Sequence, residues 1–145
     1  MQYKWYLILP LVFAITSPFN IQQEGVAVTI TGLRNTNGHV LLSLFNDGEG
    51  FPNKPEKAFR KERLNISAGK ATIHLNTLPP GNYAIAILHD ENDDLKMKTN
   101  WLGIPVEGYG FSNNVMGVMG PPSFTKAQFR ITSGKAVSIN IKTRY

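Results

Sequence analysis

Apolar and polar residues alternate along most of this chain with a period of two, and no long stretch carries the 3.6-residue period of an amphipathic helix. Val26, Val28 and Ile30 alternate with Ala27, Thr29 and Thr31. The next turn signal is Asn35-Thr36-Asn37-Gly38, in which Asn-Gly is a strong hairpin indicator. Val40, Leu42 and Leu44 then face one way and Leu41, Ser43 and Phe45 the other. Residues from Ala58 to Ile66 read as a short helical turn running into a strand, and Ala71, Ile73 and Leu75 form a further alternating face. Tyr83 to Leu88 is apolar on both faces, the mark of a central strand covered from both sides. Ala127, Phe129 and Ile131, then Val137, Ile139 and Ile141, close the pattern on either side of a Ser133-Gly134 turn. About seven short strands separated by frequent turns predict an all-β sandwich.

The first residues break this pattern. Lys4 precedes an uninterrupted apolar run, Trp5 to Ile15, which ends in small residues. The run is shorter than the ~20 residues a spanning helix needs, and it has the layout of a secretory signal peptide. The expected organisation is a signal peptide over residues 1–17 and one domain over 18–145. The protein is then exported to the periplasm or beyond, with no stable membrane span after cleavage. The chain has no cysteine, so its core must hold without disulfides, and thiol catalysis and thiolate metal sites are excluded. The net charge is +5, and the densest basic cluster (Lys54, Lys57, Arg60, Lys61, Arg63) is interrupted by Glu56 and Glu62. With only Phe59 inside it, the cluster reads as a mixed-charge edge strand or loop, and no nucleic-acid partner is expected.

Candidate chemistry concentrates between His89 and Phe124, a stretch expected to be one long ordered loop. Loops of that length in compact domains are usually functional or disordered. Trp101, Tyr109, Phe111 and Phe124 argue for order, packing the loop like a lid over one end of the sandwich. Tyr109, Phe111, Ser112, Asn113 and Asn114 are the candidate ligand-binding residues, because aromatic faces and amides suit sugars or extended peptides. An envelope polysaccharide or another envelope protein is the corresponding partner. Asp90, Asn92 and Asp94 stand at i, i+2 and i+4, the spacing that offers three side-chain oxygens to calcium. That is the one cofactor the pattern admits. The loop template then asks for Gly, an oxygen donor and Glu where Leu95, Lys98 and Trp101 stand. His89 and Ser112 supply hydrolase residue types without a recognised spacing, and no catalytic residue is assigned.

The strings His89-Asp90-Glu91-Asn92, Gly103-Ile104-Pro105, Glu107-Gly108-Tyr109-Gly110-Phe111-Ser112-Asn113-Asn114 and Gly120-Pro121-Pro122-Ser123-Phe124 resemble the signature of the bacterial domain-of-unknown-function family numbered 2141. The likeness extends over nearly the whole chain after the N-terminal run, including Leu78-Pro79-Pro80-Gly81-Asn82-Tyr83. It implies an exported bacterial protein with an immunoglobulin-like or transthyretin-like sandwich, and it supplies no catalytic residue. Relatives carry a fuller calcium-like loop where this chain has Asp94-Leu95 and Lys98. The reading is therefore a non-enzymatic binding or accessory module of the cell envelope. A cation-stabilised structural domain and a hydrolase built on the His89–Phe124 loop are the alternatives.

Overall fold

A computed structural model describes residues 25–145, so the expected signal peptide lies outside the described residues. Eight strands follow one another: β1 (Gly25–Thr31), β2 (His39–Phe45), β3 (Arg60–Leu64), β4 (Ala71–Leu75), β5 (Gly81–Asp90), β6 (Gly108–Phe111), β7 (Phe129–Ile131) and β8 (Ala136–Lys142). A single helical turn, α1 (Phe124–Ala127), precedes β7. One sheet has the order β4-β1-β8, with β8 parallel to β1; the other has the order β3-β2-β5-β6, with β7 also paired to β5. The two sheets make the all-β sandwich that the alternation predicts.

The core between the sheets is the apolar half of that alternation. Val26, Val28, Ile30, Ile139 and Ile141 come from one sheet and Val40, Leu42, Leu44, Ile85 and Ile87 from the other. Burying each such side chain contributes roughly 1.5–3 kcal/mol. The basic cluster lies where its mixed charge predicts, with β3 at a sheet edge and Arg60 paired to Glu62 at 2.6 Å.

Two expectations change. Asn35–Gly38 is a turn, but the strands it joins belong to different sheets and do not pair. The glycine answers to a close approach: with φ +59, a Cβ on Gly38 would lie 1.8 Å from the Asp90 carbonyl oxygen. The stretch from His89 to Phe124 is also not one loop. His89 and Asp90 end β5, residues 108–111 form the extra strand β6, and 124–127 are helical, which shortens the expected strand at Ala127 to β7 alone. Trp101 does not help to pin this region down, because it is 90% exposed.

Short turns cross between the sheets, while the connections within the five-stranded sheet are long: residues 46–59, 91–107 and 112–128. β6 explains how the last two are anchored. Its inward positions are Gly108 and Gly110, and its outward ones are Tyr109 and Phe111, paired with Leu88 and Ala86. A Cβ at Gly110 would stand 2.8 Å from Ile141 Cγ2, and one at Gly108 2.6 Å from Thr143 Cγ2. The glycines let β6 lie against the end of β8, and Tyr109 and Arg144 exchange two backbone hydrogen bonds of 2.8 Å there.

Gly110→Val should therefore destabilise the protein by about 2–3 kcal/mol through overpacking against Ile141 and the Lys142 carbonyl. The denaturation midpoint, compared with the unsubstituted chain, measures this.

Candidate ligand cavity

The outer face of the five-stranded sheet is also apolar over β2, β5 and β6, while β3 at its edge presents Lys61 and Arg63. Leu41, Ser43 and Phe45 of β2 stand beside Leu88, Ala86 and Ala84 of β5, and Tyr109 and Phe111 of β6 complete the row. A bare face of this kind would cost free energy in water, and the three long connections lie over it. One half is sealed by an aromatic cluster. Phe51 is its hub, with ring centroids 5.3 Å from Phe45, 6.1 Å from Phe111 and 5.9 Å from Phe124. The other half leaves a cavity of about 710 Å³ that is partly open to solvent. Leu41, Ser43, Ala86, Leu88, Tyr109 and Phe111 line it from the sheet. Its walls are Pro52, Asn53 and Pro55 from the first connection, Leu95 to Met97 with Gly103 and Pro105 from the second, and Met116, Gly117, Gly120 and Pro121 from the third. The volume lies within the ~300–1,000 Å³ of small-molecule sites.

Of the five residues expected to bind a ligand, Tyr109 and Phe111 line the cavity. Ser112, Asn113 and Asn114 hold backbone instead. β6 and β7 fill one edge of β5 in succession, leaving a gap at Ile85. The buried Ser112 hydroxyl bridges it, accepting from Ile85 N–H at 2.9 Å and donating to the Ala127 carbonyl at 2.6 Å. Asn113 and Asn114 take the left-handed conformation, with φ 61 and 52. The Asn113 amide donates to the Gln128 carbonyl at 2.9 Å. Asn114 donates to the Asn140 carbonyl at 2.9 Å and accepts from Lys142 N–H at 2.7 Å. Its amide takes the place of a next strand on the open edge of β8.

The acidic turn is organised in the same way. Buried Asp90 accepts the N–H groups of Asp94 at 3.2 Å and Leu95 at 2.9 Å. Buried Glu107 accepts those of Glu91 at 3.0 Å and Lys98 at 2.9 Å, so two carboxylates fix the base of the second cavity wall. Asp94 accepts from the Asn92 amide at 2.9 Å and from Lys96 N–H at 2.8 Å. Asp90, Asn92 and Asp94 thus share one turn, whose carboxylate oxygens accept N–H groups of the turn itself. Among the described residues no group of three or more His, Asp or Glu side chains is placed to hold a metal ion.

His89 and Ser112 are not brought together. Ser112 binds at Ile85, four residues from His89 along β5, a separation of about 13 Å. Both imidazole nitrogens of the buried His89 are occupied. In the neutral ring Nε2 donates to the Asn37 carbonyl at 3.0 Å, which leaves Nδ1 to accept the Tyr145 hydroxyl at 2.6 Å. Burial pushes the Tyr145 phenol up, which keeps it a donor. The Arg34 guanidinium stacks 4.4 Å over the Tyr145 ring and donates to Glu91 at 2.9 Å. The hydrogen bond from Arg34 holds the Glu91 carboxyl below the usual carboxylate range. Leu41, Ser43, Leu88, Met97 and Met116 were missed as lining residues. The signal for the first three was the apolar outward row of β2 and β5, legible only once a second cover over that face was inferred.

The chain is a β-sandwich with a loop-roofed cavity on the outer face of one sheet. It belongs to the family described as Uncharacterized protein conserved in bacteria (DUF2141), which matches residues 28–140. No curated protein and no solved structure matches the chain.

Because the Glu91 carboxyl is depressed in the folded state, its contribution is complete above the unfolded value of about 4.3 and is lost as pH falls through the folded value. Replacing Arg34 with Met should cost stability at neutral pH and lose that effect in acid. Urea melts of both proteins across this range measure it, and a pH-independent difference would contradict the pairing.

Proposed function

We propose that this protein is a non-enzymatic binding module of the bacterial cell envelope, and that its cavity takes a small, largely apolar molecule. The observation that carries the reading is the cavity of about 710 Å³ with an apolar sheet as its floor. The amides expected to meet a sugar or peptide are spent on backbone groups at Gln128, Asn140 and Lys142. Few polar residues line the cavity: Ser43, Asn53, Lys96 and Tyr109. Sites of this composition bind chiefly by removing apolar surface from water, with a few polar groups setting orientation. Export is supported by the basic start and apolar run of the first residues. A binding role without catalysis accords with the separation of Ser112 from His89 and with the occupied imidazole.

Ala86 sits on the cavity floor beneath the loops. Ala86→Trp should fill the space and weaken binding of an uncharged, environment-sensitive naphthylamine dye at least tenfold, equivalent to about 1.4 kcal/mol. Fluorescence titration of both proteins, each shown folded by a cooperative melt, tests this. Saturable binding that survives the substitution, or no saturable binding by the unsubstituted chain, would remove the reading.

A further inference from the structure

Two of the cavity walls end in apolar tips that stand largely in solvent. Trp101 is 90% exposed and Leu102 60%, while Val118 is 94% and Met119 100% exposed. Isolated apolar side chains are ordinary on a surface, but four large ones on two loops that wall the same cavity are not.

The first tip is held outward by its own hydrogen bonds. Val106 N–H bonds to the Lys98 carbonyl, and Asn100 N–H to that of Ile104, each at 2.9 Å. The Asn100 side chain accepts from Leu102 N–H at 2.9 Å and Ile104 N–H at 3.0 Å, and Gly103 N–H closes the turn on the Asn100 carbonyl at 2.9 Å. This fixed turn presents Trp101 to solvent, although an apolar cavity lies beside its base. Three lysines flank the cavity. Lys96 lines it, Lys98 begins the hairpin, and Lys54 stands between the lining residues Asn53 and Pro55. None of the three forms an ion pair among the described residues, which include Glu49, Glu62, Glu91 and Asp93 already paired elsewhere. Asp94 is bonded to Asn92 and to the Lys96 backbone, and it feels the charges of Lys96 and Lys98 without closing an ion pair to either.

We infer that the two tips dock the protein on an anionic lipid bilayer, with Trp101, Leu102, Val118 and Met119 entering the interfacial layer and Lys54, Lys96 and Lys98 meeting the phosphates. Tryptophan favours that layer because its ring is apolar and its N–H polar. Apolar anchors and basic side chains act together in binding at the interface. A protein partner fits less well, since a stable interface needs about 800 Å² from each side and two narrow tips present far less continuous surface. The inference concerns the rim and stands apart from what fills the cavity.

The chain has two tryptophans, Trp5 and Trp101, so a full-length Trp5→Phe chain carries a single reporter at the tip. Titration with vesicles of phosphatidylglycerol and phosphatidylethanolamine should shift Trp101 emission to the blue and shield it from acrylamide. Vesicles of phosphatidylcholine alone should do so much less. Lys96→Gln and Lys98→Gln should each weaken the apparent vesicle affinity about fivefold, and Val118→Ser with Met119→Ser should weaken it further while the melting curve stays unchanged. The N-terminal run is common to every variant, so differences among them report the tips. Emission that ignores anionic vesicles, or a shift indifferent to all these substitutions, overturns the inference. So does a blue shift that appears on self-association without lipid, which would give the tips to a second copy.

Discussion

β5 carries apolar side chains on both faces, and water must be kept from both. Tyr83, Ile85 and Ile87 point into the space between the sheets, where the three-stranded sheet covers them completely. Ala84, Ala86 and Leu88 point the other way, towards a side where no sheet of the described residues stands. Everything distinctive about this protein follows from how that second face is covered. The long connections lie over it, and the Phe51 cluster fixes them at one end. At the other end they stand off from the small side chains of Ser43 and Ala86 and leave the cavity. A pair of larger residues at those positions would fill the space.

The polar residues of the same region make the cover rigid without joining the cavity. Asp90 and Glu107 are buried carboxylates bonded to backbone N–H groups of the second wall. Ser112 closes the gap between β6 and β7, and Asn114 occupies the free edge of β8. Buried polar groups of this kind are expensive to leave unpaired, at roughly 1–3 kcal/mol each. Their partners therefore fix where the walls stand. Such arrangements resemble binding chemistry in a sequence, because the same oxygens and amides serve ligands and metals.

The strands and the central position of β5 were legible in the sequence, since alternation and a two-faced apolar run depend on local pattern alone. β6 was not. Its Gly-Tyr-Gly-Phe string alternates, but with glycine on the inner positions it carries no apolar inner face to recognise. The sheet-crossing turn at Asn37-Gly38 was misread as a hairpin signal because its glycine answers a contact with Asp90, more than fifty residues away. Tyr109 and Phe111, singled out in the sequence for their aromatic faces, line the cavity. Ser112, Asn113 and Asn114 looked equivalent to them, and only the distant partners Ile85, Gln128 and Asn140 separate the two groups.

The central claim is that the outer face of the five-stranded sheet is a binding cavity. Its most direct test is methyl NMR of the protein titrated with a medium-chain fatty alcohol. Methyl signals of Leu41, Leu88, Met97 and Met116 should move together and saturate, while those of the inner-core residues Val28, Leu42 and Ile85 stay in place. Signals that do not move, or that move only at the exposed Val118 and Met119, would contradict the account.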